Sequence, residues 1–222
     1  MTRIPRCLVI DTDIARSAGG LDAQDMRSKD CREFLIGVQE TKHKVVSTKT
    51  IREEWHKHQS RFTRTWLVSM VAQKKVCWLD DVADDVLRRK VDSLDEDIRE
   101  ELLEKKQLIE DVLKKDLNNR QTMLGKLQNI EEVLHSVEGK RDAMFKDIHL
   151  IEAALQADRI VISMDETVRG YFREVTQKVV ELRQIAWVNP CKSEETALEW
   201  LQDGAELERE RLLGYRTEES DS

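Results

Sequence analysis

Two rhythms of apolar residues run along the chain. Continuous, largely β-branched runs at Cys7–Ile10, residues 44–48 and Ile160–Ile162 predict strands buried on both faces, as parallel sheets require. Residues 185–188 (IAWV) predict a further strand, and residues 76–79 (VCWL) read equally as strand or buried turn. Between these runs, apolar residues recur at helical spacing. Phe34, Leu35 and Val38 follow a cap at Asp30, and Ile51, Trp55 and Phe62 follow a cap at Thr48 or Thr50. Ile148, Ile151, Ala154 and Leu155 share a face of a helix whose first turn holds Asp147, and residues 168–182 predict another helix. Residues 11–20 read as the first loop. Strands alternating with helices predict an α/β domain with a mostly parallel central sheet flanked by helices.

From residue 82 to residue 138 the texture changes. Val91, Leu94, Ile98 and Leu102, then Ile109, Val112 and Leu117, stand amid dense mixed charge. Asn118-Asn119 interrupts, and Leu124, Leu127, Ile130, Leu134 and Val137 resume until Gly139, which reads as the end of this stretch. This pattern predicts an inserted helical hairpin, its first arm roughly 50 Å long if unbroken at 1.5 Å per residue. Its apolar stripe is longer than a small sheet can cover, which suggests docking of a protein partner or of a second copy of the chain. The expected layout is a domain over residues 1–190 interrupted by residues 82–138. An acidic helix and a disordered polar end then occupy residues 191–222.

Composition narrows the picture. With 5 % aromatic and 36 % charged residues, eight Gly and two Pro, a β sandwich rich in turns is disfavoured. The run ending at Ile10 is too short for a signal-peptide core and nothing approaches a membrane span, so a cytoplasmic protein is expected. Cys7, Cys31, Cys77 and Cys191 show no paired spacing and read as reduced packing residues. The net charge of −7 is unevenly spread: residues 81–140 hold 11 basic against 16 acidic residues, and residues 191–222 hold 4 against 10. What remains carries 22 basic against 18 acidic residues, which leaves the core able to present a basic face to phosphates.

The chemistry lies at the strand ends. Asp11 and Asp165 each stand just past the carboxyl end of a buried strand, where open α/β sheets gather ligands, and Asp147 opens the helix leading to the second. Clustered carboxylates suit hard divalent cations such as Mg²⁺ or Mn²⁺. LVIDTD near the start, then KDIHLIEAAL followed by IVISMD, resembles in order the PIN-domain family of metal-dependent ribonucleases. That resemblance implies a fourth acid on the helix after the second strand, TIREEWHKH. Glu53 and Glu54 both qualify, and the family's acid-before-aromatic pattern selects Glu54. It further implies that Thr12 and Ser163 orient carboxylates and that Asp13 is an auxiliary ligand. Arg16, His149 and Arg169 are candidates for touching the phosphate backbone, although no spacing demands it. The activity implied is endonucleolytic cleavage of single-stranded RNA in the setting of a toxin or defence nuclease.

Two other readings compete. LVIDTD also fits the opening of a haloacid-dehalogenase-like phosphatase, with Asp11 as nucleophile and Asp13 as acid/base. That mechanism would recruit Ser47 or Thr48, Lys74 or Lys75, and Asp80-Asp81. The third reading is a catalytically inactive PIN-like scaffold. Each acid also has a plain structural role open to it: Asp11 in a turn, Asp147 in a first helical turn, Asp165 as a helix cap, Glu54 as a solvated residue. His56-x-His58 is a surface feature, because two positions apart on a helix point to different faces.

Overall fold

The computed structural model describes residues 4–20, 22–115 and 120–215. Two compact units divide the chain: Met1–Asp84 with Asp147–Ser222, and Asp85–Lys146, which interrupts the first. The first unit is built on five parallel strands, β1 (Cys7–Ile10), β2 (Lys44–Ser47), β3 (Val76–Trp78), β4 (Ile160–Ile162) and β5 (Ala186–Val188). Their spatial order is β3-β2-β1-β4-β5. The expected α/β class with a parallel sheet is what the chain adopts. β1 and β4 are adjacent, with Val9 opposite Val161 and Ile10 opposite Ile162. Because the order runs outward from β1 in one direction and from β4 in the other, these two strands flank the topological switch point.

Around the sheet lie α1 (Thr12–Ser17), α2 (Met26–Glu40), α3 (Lys49–His58), α4 (Arg61–Ala72), the end of a long helix α7 (Arg120–Gln156), α8 (Glu166–Glu174) and α9 (Ala197–Gln202). Leu8, Val9, Ile10, Ile160, Val161, Ile162 and Trp187 are fully buried, so both faces of the sheet are covered. The predicted inward residues Phe34, Leu35, Val38, Ile51, Trp55, Ile148, Ile151 and Ala154 are buried with them.

Several local expectations are corrected. Thr12–Ser17 is a helix rather than a loop, capped by the Asp11 side chain. The cap of α2 is Asp25, whose carboxylate accepts the Ser28 N–H at 3.0 Å, so α2 starts before Asp30. Thr48, not Thr50, caps α3, and Phe62 belongs to the separate helix α4, which Ser60 caps. Of residues 76–79, Val76–Trp78 form strand β3. The stretch 168–182 is α8 followed by short 3-10 turns. Cys7 and Cys77, 70 positions apart, are joined as a disulfide, against the expectation of four free thiols. Residues 191–215 are not an appendage. Trp200, Leu201 and Leu213 are buried, and Leu212 forms an antiparallel bridge with Ala186 on β5. The terminal residues expected to be disordered lie outside the described residues from 216 onward.

The second unit holds α5 (Asp85–Asp92), α6 (Glu96–Lys115) and the first part of α7. The anticipated first arm is broken near Asp95, which adopts φ 62°, so α6 reaches about 30 Å at 1.5 Å per residue. Gly139 ends nothing, for α7 continues through it to Gln156. The turn expected at Asn118-Asn119 lies outside the described residues. Ion pairs link Lys106 with Glu131 (2.9 Å) and Arg99 with Glu138 (3.7 Å), while Ile98, Leu103 and Leu108 remain exposed. Among the described residues, no helix is long and apolar enough to cross a membrane.

Candidate functional site

At the switch point the main chain first sets the geometry. The Asp11 N–H donates to the carbonyl of Ile162, the last residue of β4, at 2.9 Å, extending the β1–β4 ladder one residue past β1. This brings Asp11-Thr12-Asp13 against Ser163-Met164-Asp165. The Trp55 indole N–H donates to the Ile10 carbonyl at 3.2 Å and so pins α3 to the end of β1. Glu54, its neighbour in sequence, thereby reaches the same rim.

Ser163 is the hub. Its side chain is fully buried, and its hydroxyl lies 2.7 Å from Asp11 Oδ2 and 3.2 Å from Asp13 Oδ2, while accepting the Asp165 N–H at 3.1 Å. A hydroxyl has one proton to give, and the shorter contact with Asp11 takes it. The Ser163–Asp13 contact is then satisfied only when Asp13 carries a proton. Asp13 Oδ2 also accepts the Met164 N–H at 2.8 Å, whereas its Oδ1 is buried without a hydrogen-bond partner. Burial, followed by the neighbouring Asp11 charge, pushes the Asp13 carboxyl up to about 7. Burial also raises Asp11, opposed by the Ser163 hydroxyl, the backbone N–H groups of Asp13 and Thr12, and the charge of His149. Two adjoining half-buried carboxylates, one with an enclosed and unpartnered oxygen, form a site short of positive charge.

The remaining candidates separate clearly. Glu54 accepts from the Thr12 hydroxyl at 3.2 Å and lies 3.3 Å from His149 Nε2. Glu53 has a side chain 58 % exposed against 34 % for Glu54, and faces Lys49 across 4.0 Å. Asp165 caps α8, accepting the Val168 N–H at 2.8 Å, so its expected structural role is real and its Oδ1 is engaged there. Asp147 lies deep inside α7, not in a first turn. His149, two positions further along α7, meets Glu54 and bears on Asp11. Arg169 is buried in ion pairs with Glu195 and Glu166, a structural tie rather than a phosphate contact, and Arg16 is exposed on α1. Among the described residues, no group of three or more His, Cys, Asp or Glu side chains is arranged as a ready-made metal site.

Sequence reasoning undervalued Asp13 and His149. The D-x-D spacing was the available signal for Asp13, since positions 11 and 13 flank the one residue that starts α1. For His149, nothing local marks which side chain of α7 turns toward α3. The phosphatase set is not assembled. Lys74 and Lys75 precede β3 and so lie at the amino edge of the parallel sheet, opposite Asp11, and Lys75 Nζ is engaged by the Gln39 and Thr41 carbonyls. Asp81 instead accepts the Thr50 N–H at the start of α3.

Neither a protein-family model, nor a curated protein, nor a solved structure matches the chain.

Proposed function

We propose that the chain is a metal-dependent endoribonuclease of the PIN-domain type, hydrolysing phosphodiester bonds of single-stranded RNA. The observation that carries the reading is the Asp11–Ser163–Asp13 arrangement at the switch point, with Asp13 Oδ1 buried and unpartnered. An oxygen-rich, charge-deficient pocket of this kind fits Mg²⁺ or Mn²⁺. Asp11 and Asp13 would hold the cation, with Glu54 and Asp165 on the same rim. A divalent cation there supplies a water of lowered pKa and screens charge on the phosphate oxygens.

The protein's own groups have separable tasks. Ser163 orients Asp11 through its hydroxyl proton and ties the chain at Asp165 by accepting that residue's N–H. Thr12 donates its hydroxyl proton to Glu54 and ties that carboxylate to the start of α1. His149, beside Glu54 and near Asp11, places an imidazolium's worth of positive charge at the rim when protonated. Asp165 fixes the start of α8. Asp147 enters this reading only through the family resemblance.

The test is incubation of the purified protein with labelled single-stranded RNA and DNA, in Mn²⁺ or in EDTA, beside a small phosphomonoester. RNA cleavage that EDTA abolishes, and that Asp11→Asn and Asp13→Asn each reduce at least 100-fold, supports the proposal. Cleavage indifferent to chelator, or turnover of the phosphomonoester alone, refutes it. The same reading places the protein in the cytoplasm, whereas the Cys7–Cys77 disulfide favours an oxidising compartment. Mass spectrometry of protein alkylated at the moment of cell lysis decides between them.

A further inference from the structure

Beside the acidic rim lies a second cluster of different chemistry. Cys31 on α2, Met164 between β4 and α8, and Cys191 after β5 bring three sulfur atoms together from three separate parts of the chain. The separations are 3.6 Å for Cys31–Cys191, 3.6 Å for Cys31–Met164 and 3.4 Å for Cys191–Met164. They form a nearly equilateral triangle.

We propose that Cys31, Cys191 and Met164 form a three-coordinate site for a soft monovalent metal ion, Cu(I) by preference. A point equidistant from the three sulfurs lies about 2.0 Å from each, against about 2.3 Å for a metal–thiolate bond, so each sulfur need retreat only about 0.3 Å. Thiolate and thioether together select Cu(I), whereas Zn²⁺ asks for four ligands and rarely accepts a thioether. A disulfide between the two cysteines would not need the thioether, which here sits against both.

The surroundings support the geometry. The buried Asn189 accepts the Cys191 N–H at its Oδ1 (3.0 Å), and its Nδ2 lies 3.5 Å from the Met164 carbonyl, so one side chain holds two of the ligating segments. Cys31 is buried and Cys191 half-exposed, which leaves a way in from the Cys191 side. The carboxylates of Asp13 and Asp30 bear on both cysteines and favour a cation between them, while Arg27 acts on Cys191 in the opposite sense.

The test is anaerobic titration of the full chain with Cu(I) in competition with a chromophoric Cu(I) chelator, repeated with Ag(I) as a redox-inert probe. One equivalent should bind, with affinity lowered at least 100-fold in Cys31→Ser and Cys191→Ser and about 10-fold in Met164→Leu. X-ray absorption of the Cu(I)-loaded protein should show three sulfur neighbours. A Cys7→Ser/Cys77→Ser variant should bind as the wild type does. Undiminished affinity in Cys191→Ser or in Met164→Leu, less than one equivalent bound, or two sulfur neighbours in place of three would overturn the proposal. Because the readout is metal affinity, a failure here is separate from any failure of RNA cleavage.

Discussion

Replacing Asp13 by Asn is the sharpest probe of how the acidic rim is built. The Asp13 carboxyl is raised from 3.8 to about 7 by burial and by Asp11. Between those pH values the folded chain keeps a proton that the unfolded chain has released, so unfolding free energy falls as pH rises. Stability associated with this group is fully present below about 3.8 and is lost as pH passes through about 7. From pH 4.5 to pH 7 this loss amounts to about 3 kcal/mol, at roughly 1.36 kcal/mol per pH unit. Asparagine keeps an acceptor for the Met164 N–H and has the same shape but never ionises. The stability gap between Asp13→Asn and wild type should therefore widen in the variant's favour by about 3 kcal/mol between pH 4.5 and pH 8.5. Urea unfolding in EDTA at the two pH values measures it. An Asp13→Asn effect of equal size at both would show that the carboxyl is solvated and that the charge-deficient pocket does not exist.

Other outcomes follow from the same geometry. Glu54→Gln should lower RNA cleavage at least 100-fold in steady-state assays while Glu53→Gln changes it less than about 2-fold, because Glu54 alone meets Thr12 and His149 whereas Glu53 faces Lys49. Glu195→Gln strips the buried Arg169 and Arg211 of a shared counter-charge and should cost about 3–5 kcal/mol by urea unfolding at neutral pH. A loss under 1 kcal/mol would mean that those guanidinium groups are solvated. Under oxidising conditions, Cys7→Ser/Cys77→Ser should lower unfolding free energy by about 4 kcal/mol, the chain-entropy value for a loop of this length. Reduction of the wild type should erase that difference.

Much of the frame was legible because local composition and burial agree. Ile160-Val161-Ile162 could hardly be anything but a covered strand, and Asp11 and Asp165 follow their strands at the rim where they were expected. Thr12–Ser17 was missed because six residues with two inward positions, Ile14 and Ala15, carry too little periodicity to separate helix from loop. Gly139 misled because a glycine in a helix costs only about 1 kcal/mol and the helix here carries on through it. The split between Glu53 and Glu54 turned on Trp55, whose bond to the Ile10 carbonyl decides which acid faces β1.

The sequence by itself determined the alternating elements, the parallel sheet and the identity of the acids that end its central strands, since these depend on residues close together in the chain. Strand order, and everything that order assembles, belonged to the tertiary structure alone. Ser163 between Asp11 and Asp13, His149 beside Glu54, the Cys7–Cys77 bond and the triangle of Cys31, Met164 and Cys191 all join residues dozens of positions apart. The physical reason is that side-chain proximity across a sheet depends on which strands lie side by side, and no local pattern of apolar and polar residues carries that information.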